Sequence, residues 1–222
     1  MGATLRWRIH AGDLLLRQRH LRALRQMDLP EPLLGWIHER LEWAMLNMLE
    51  DKGEAVLVLD IDPKREARIS LDNLREAPML TVTDLRVVDG LVCGLGLDDP
   101  ALASDSAAAA DRSLSAHVGS GQPYRGDIWV ERDSTLCASC SELASATATL
   151  CSDLANTLNF PVEIKPQRSE DVEAAANKGG CFFISDEFGL VPVTASDQQT
   201  PAAAGEAPIS KRLREAFAKL YS

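Results

Sequence analysis

The stretch Leu154–Val193, LANTLNFPVEIKPQRSEDVEAAANKGGCFFISDEFGLVPV, carries the pattern that decides the fold. Leu154, Ala155 and Leu158 close a helical stripe. Asn159 suits a left-handed cap, and Pro161 forbids continuation. Val162 and Ile164 mark a short strand that Pro166 stops. Ser169, followed by Glu170 and Asp171, starts a helix, because a hydroxyl can cap free backbone N–H groups and acids suit the positive helix end. Cys181, Phe182, Phe183 and Ile184 are too apolar in a row for a half-exposed strand, so this one is expected to be buried on both faces. Gly189 then permits a turn, and Leu190 to Val193 leave it as a second strand.

Working backwards from this stretch, Ser139 to Leu158 reads as helix, and Asp127 to Glu131 (DIWVE) as strand. Forwards, Pro208 to Tyr221 reads as an amphipathic helix with Ile209, Leu213, Phe217 and Leu220 on one side. At the other end of the chain, Leu5–Ile9 and Leu14–Leu16 flank a His10–Asp13 turn and form a hairpin. A helix follows over Arg17–Met27, then a second over Pro32–Glu50. In the second, Leu34, Ile37, Leu41, Ala44, Met45 and Met48 recur every three or four residues and make one buried face. Trp36 and Trp43 are expected to widen it as core residues. Ala55–Leu59 and Ala67–Leu71 pair across a turn at Asp60–Pro63, where the carboxylates of Asp60 and Asp62 serve turn chemistry rather than a metal. Met79–Val82 and Leu85–Leu91 add strands.

The order helix, FPVEIKPQRSEDV, apolar strand, GLVPV resembles the C-terminal half of the class IV pyridoxal-phosphate proteins. That family includes branched-chain and D-amino-acid aminotransferases and aminodeoxychorismate lyase. The opening, ATLRWRIHAGDLLLRQRHLRALRQMDLPEP, is similar to the family's hairpin and its HLxRL helix. The resemblance implies an α/β, two-subdomain fold, shortened at its start and centre: an N-terminal α/β subdomain over 1–97, a linker or flexible loop over 98–121, and a C-terminal α/β subdomain over 122–222. The middle segment, DDPALASDSAAAADRSLSAHVGSG, is small, polar and rich in Ala and Ser, as linkers are, although Ala107–Leu114 could form a helical turn.

The resemblance also implies a cofactor, and with it four groups in a fixed order along the chain: a phosphate-binding Arg, a Schiff-base Lys, a Glu facing the pyridinium, and a hydroxyl-bearing phosphate turn. At the HLxRL arginine position stands Ala23, and Arg22 points about 100° away around the helix. No lysine occurs between Lys64 and Lys165, and Asp111-Arg112, which resembles the pair after the family's lysine, is preceded by four alanines. The glutamate position after the Trp129–Asp133 segment falls on Ala138, with Glu142 too far along. The phosphate turn reads Ser185-Asp186-Glu187-Phe188-Gly189, whose two carboxylates repel a dianion.

The expectation is therefore a non-PLP pseudoenzyme with no catalytic, cofactor-binding or metal-binding residue of the family's kind. The alternative is an active PLP-dependent aminodeoxychorismate lyase or aminotransferase using a displaced lysine, Lys165 or Lys178. By resemblance the chain forms a homodimer, or a heterodimer with an active paralogue.

Composition closes other routes. A net charge of −10 disfavours nucleic acid. No apolar run approaches the ~20 residues of a membrane helix and no leader is evident, so the cytoplasm is the implied compartment. Five cysteines do not make a secreted disulfide framework, and Cys137-x-x-Cys140 is at most half a zinc site. The four histidines, His10, His20, His38 and His117, show no metal-ligand spacing.

Overall fold

The computed structural model describes residues 3–27, 29–47, 53–61, 66–95, 115–117, 123–139, 145–195 and 207–220. They fall into two compact units, Met1–Glu76 with Asp186–Phe188, and Ala77–Ser185 with Gly189–Ser222. Each is taken by itself.

In the first unit, β1 (Ala3–His10) turns through Ala11 and Gly12 into β2 (Asp13–Leu14). Both turn residues have positive φ, 49° and 81°, the geometry that lets a two-residue turn follow the right-handed twist of the strands. Helices α1 (Arg17–Arg25) and α2 (Glu31–Asn47) follow, then β3 (Glu54–Ile61) and β4 (Ala67–Asp72). The sheet order is β2-β1-β3-β4, antiparallel throughout. Trp7, Ile9, Leu57 and Leu59 face Leu24, Ile37 and Leu41 in one core.

Trp36 and Trp43 are not part of that core; they are 41% and 45% exposed. The buried stripe of α2 is Ile37, Leu41 and Ala44. Each Trp sits one residue before a stripe member, about 100° around the helix and past the edge of the sheet-facing side. Met48 and Asp62 lie outside the described residues.

The second unit opens with β5 (Leu80–Thr81) and a 3-10 turn at Val82–Asp84, followed by the hairpin β6 (Leu85–Val88) and β7 (Leu91–Leu95). Next come β8 (Ser115–His117), β9 (Pro123–Arg125), β10 (Asp127–Arg132) and β11 (Thr135–Ala138). The rest is α3 (Ala146–Thr157), β12 (Val162–Ile164), β13 (Gln167–Arg168), α4 (Ser169–Ala176), β14 (Cys181–Ser185), β15 (Gly189–Thr194) and α5 (Pro208–Ala218). A mixed six-stranded sheet runs β12-β11-β10-β14-β15-β5, parallel at its two outer pairs and antiparallel between.

Every residue of β14 is buried, as its unbroken apolar run requires. Phe182 and Ile184 pack with Trp129, Leu136, Ile209 and Leu213 in the cluster that α3 and α5 cover. The alternate residues Cys181 and Phe183 lie outside that cluster and are equally buried, and α4 packs on β14 and β10. Asn159 has φ 60°, the left-handed cap that stops α3. Glu131 on β10 accepts from the backbone N–H and hydroxyl of Ser210 at 2.7 and 2.9 Å, holding a carboxylate at the positive end of α5.

Two local expectations are corrected. The helix expected from Ser139 begins later, after Asp133 and Ser134, both at positive φ, make a hairpin that returns β11 along β10. Helix α3 starts at Ala146, where the Ser145 hydroxyl accepts from the Ala148 N–H at 2.8 Å. Ser169 is inside α4 rather than its cap, because β13 pairs Arg168 with Leu91 and the Ser169 N–H donates to the Gly90 carbonyl. The compact units meet at Glu76/Ala77, and β5 pairs with β15 and β7 with β13. Of the expected linker, only 115–117 is described, as a strand; Ala107–Leu114 lies outside the described residues.

Gly126 leads into β10 at a point where a Cβ would stand 2.2 Å from the Ile184 carbonyl oxygen and 2.4 Å from the Phe183 ring. Neither backbone nor a buried ring can give way there. Gly126→Ala is expected to destabilise the protein by about 2 kcal/mol or more, read as a lower urea midpoint at constant slope.

Candidate functional site

The four positions at which the resemblance expects cofactor chemistry can now be placed. Ala23 is half-buried on α1. Asp111-Arg112 and Glu142 lie outside the described residues. Ala138 is fully buried on β11, paired with Trp129 on one side and Ile164 on the other. The turn Asp186–Phe188 belongs to the first unit.

That turn holds the most concentrated charge in the unit. The Arg75 guanidinium donates to the Glu187 carboxylate through Nε at 2.9 Å and Nη2 at 2.5 Å. Arg6 donates to the same carboxylate through Nε at 2.8 Å and Nη2 at 3.2 Å, and its Nη2 also reaches Asp72 at 3.0 Å. Arg6 and Glu187 are both buried, and Arg75 lies over the Phe188 ring at 5.6 Å. Burial works against the Arg6 charge, but Glu187 and then Asp72 outweigh it and hold its pKa above the ordinary value. The Arg6 hydrogen bond is the main cause holding the Asp72 carboxyl below its usual range. A buried carboxylate gripped by two forked guanidiniums is the geometry in which such a charge tolerates leaving water.

Beside the clamp, the Arg8 N–H donates to the Asp186 carbonyl at 3.2 Å. His20 is buried, stacked on Trp7 at 4.5 Å, with Nδ1 3.6 Å from an Asp186 carboxylate oxygen, too long for a hydrogen bond. Burial lowers its pKa, against the opposing pull of Asp186 and a hydrogen bond to the Leu15 backbone.

The lysines offered as displaced nucleophiles belong to the second unit. Lys165 pairs with Glu163 at 2.5 Å, a hydrogen bond that raises its pKa. Lys178 is exposed just past α4. Cys137 on β11, Cys151 and Cys181 are buried thiols outside any disulfide; burial pushes the Cys181 thiol up. Cys140 lies outside the described residues, among which no group of three or more His, Cys, Asp or Glu could hold a metal. A cleft of about 420 Å³ opens between α1 and α2, lined by Leu21, Leu34 and Ile37 with Arg25, Glu31 and His38. No helix among the described residues is long and apolar enough to cross a membrane.

Sequence reasoning missed Arg6 and Arg75 altogether, and read Glu187 only as a repulsive charge. Glu187 is 181 residues from Arg6 and 112 from Arg75, so no local spacing announces the pairing. The available signal was two acids in a turn between strongly apolar strands, which require cations from elsewhere.

Solved structures match this chain over nearly all its length. The branched-chain amino acid aminotransferase from Escherichia coli aligns over 100% of this chain and 85% of its own, with TM-score 0.63 and 13% identity. The fold is that of the class IV aminotransferases. A hypothetical aminotransferase from Mycobacterium tuberculosis in its PLP-bound form gives 0.63 at 17% identity, over 98% of this chain and 87% of its own. The 4-amino-4-deoxychorismate lyase from Pseudomonas aeruginosa gives 0.59 at 16%, over 98% and 90%. No family model matches the sequence, and no curated protein is similar enough to match it. The class IV likeness thus rests on three-dimensional arrangement, and this chain is shorter than the chains it matches.

Two measurements probe the clamp. Glu187→Gln leaves the buried Arg6 guanidinium with Asp72 as its charged partner, and is expected to cost about 3 kcal/mol of unfolding free energy in urea titration; under about 1 kcal/mol would mean the clamp contributes little. His20 takes up its proton more readily unfolded than folded. Its contribution is therefore fully present above the unfolded value of about 6.5 and is lost as pH falls below it. His20→Phe, which keeps a ring against Trp7, is expected to flatten that part of the stability–pH curve.

Proposed function

We propose that this chain is a class IV aminotransferase-like scaffold that works without pyridoxal phosphate, in binding or assembly rather than amino transfer. The observation that carries the reading is Glu187. The resemblance assigns its turn to a phosphate dianion, and there the chain's own carboxylate takes four hydrogen bonds from Arg6 and Arg75. A phosphate would have to displace that carboxylate and then lie beside its buried negative charge.

The amine chemistry agrees. A Schiff-base lysine needs a neutral, nucleophilic amine, which enzymes obtain by burial or by a neighbouring cation. Lys165 has the opposite environment, a carboxylate that stabilises its protonated form, and Lys178 has ordinary solvent exposure. The residues present do not fit the cofactor, and no step is derived through it. In an assembly role the partner is a second copy of this chain or a catalytically competent relative of the same fold.

The purified protein is expected to be colourless, to show no visible-band absorbance on addition of pyridoxal phosphate, and to keep its melting temperature unchanged. Borohydride treatment followed by peptide mass spectrometry tests the competing reading directly. A reduced pyridoxyl adduct on Lys165, Lys178 or any other lysine, formed at stoichiometric cofactor, overturns the proposal.

A further inference from the structure

The His20 ring is anchored at one nitrogen and open at the other. It bonds to the Leu15 backbone, and because Nδ1 has no hydrogen-bond partner, the nitrogen that donates there is Nε2. The neutral imidazole is then the Nε2–H tautomer, whose Nδ1 presents a lone pair. That lone pair stands 3.6 Å from an Asp186 carboxylate oxygen, where the histidine side chain is 2% exposed. Two acceptors face each other at a buried site, and neither can donate to the other.

The ring is held in this attitude. It is stacked on Trp7 with 20° between the planes, and a flip would break the bond to Leu15. The next residue, Leu16, has φ 57°, a left-handed conformation costly for a large side chain, and its carbonyl accepts from the Arg19 and His20 N–H groups. The bend that starts α1 is thus tied to the ring's orientation.

Charged groups on the surrounding elements are engaged elsewhere. On β1, Arg6 joins Glu187 and Asp72, and Arg8 pairs with Glu54 at 3.0 Å. On α1, Arg17 pairs with Glu42 of α2, which also stands 3.8 Å from His38. Arg19 is about 100° around the helix from His20. In the turn, Glu187 is taken by the clamp, which leaves Asp186 as the charge acting on the ring.

We infer that His20 and Asp186 form a proton-operated latch between α1 and the turn Asp186–Phe188. In acid, a proton from solvent binds Nδ1, the imidazolium donates it in a hydrogen bond to the Asp186 carboxylate, and the turn is drawn onto α1. At neutral pH the latch is open. Closing it takes a movement of about 0.7 Å, from the present separation to the usual length of a charge-assisted bond, and the Leu15 bond is kept in both states. The latch lies within the first unit and does not rest on the cofactor reading.

Nitrogen-15 NMR of the full chain labelled at histidine, followed from about pH 7.5 to about pH 4.5, tests it. His20→Phe identifies the His20 signals among those of the four histidines. At neutral pH the proton is expected on Nε2 with Nδ1 bare. On acidification Nδ1 is expected to gain a solvent-protected N–H, and the amide shifts of Leu15, Leu16 and Asp186–Phe188 to move with the same midpoint. Asp186→Asn, checked for a native amide spectrum, removes the attracting charge and is expected to lower the His20 midpoint by about one unit. Should that variant not fold, the wild-type tautomer and turn shifts decide alone. A proton on Nδ1 at neutral pH, turn amides indifferent to the His20 titration, or an unchanged midpoint in Asp186→Asn overturns the inference. So does a chain that unfolds before His20 takes up its proton.

Discussion

Glu187 is the residue that the first unit cannot leave unanswered. An isolated carboxylate at its depth would cost several kcal/mol in desolvation, and the side chain is only 4% exposed. The structure answers with two guanidiniums, Arg6 from β1 and Arg75 from just beyond β4, and it balances the second cation with Asp72 at the end of β4. Among these four groups two cations meet two anions, so their charges cancel. The same contacts fix geometry: β1 is joined to the turn by its Arg6 side chain and by the Arg8 backbone, and to β4 through Asp72. Because Arg6 is on the opposite strand face from Trp7 and Ile9, the clamp and the apolar core are secured by alternate residues of one strand.

His20 shows how this arrangement reaches α1. Its ring is stacked on Trp7 and held neutral by burial while an Asp186 carboxylate stands close but out of hydrogen-bond range. An imidazole in that position is a packing element, large and flat, with a polar edge turned to the same turn that carries Glu187. The histidine that opens the HLxRL-like motif thus joins helix, strand and turn, whereas the fourth position of that motif, Ala23, contributes a methyl group.

What was legible in the sequence was what short-range pattern controls. The apolar run Cys181–Ile184, the stop at Asn159 and Pro161, the hairpin at Ala11–Gly12 and the helix–strand–helix–strand–strand order over Leu154–Val193 follow from burial periodicity and from residues with narrow φ preferences. Failures came where tertiary contacts chose between local options. Ser139 could begin a helix, but β11 pairs along β10 up to Ala138 and α3 starts only at Ala146. Ser169 could cap a helix, but the extended backbone of Arg168, paired with Leu91, puts the cap one residue earlier. Trp36 and Trp43 are apolar, which says that burial would be favourable, not that the fold has a surface to offer them. The clamp was the least legible feature, since its three elements are far apart in the chain and charge types alone do not specify partners.

The separation between pattern and point residues explains how a fold can be shared at 13–17% identity. Burial periodicity is spread over dozens of positions, each tolerant of similar apolar substitutes, so the arrangement of strands and helices persists. A cofactor site depends on a few groups that are favourable only together. An ionised glutamate at the fully buried position of Ala138 would need a cation facing it, and an arginine at Ala23 would need an anion. Without the ligand that links them, each is a cost, and alanine is the residue that removes it. Glu187 fits the same logic from the other side: on the proposed reading the turn holds an anion of its own, and Arg6 and Arg75 make that anion stable. Alanine at two positions and a clamped glutamate at a third are one consistent electrostatic solution, reached by the side chains rather than by the backbone.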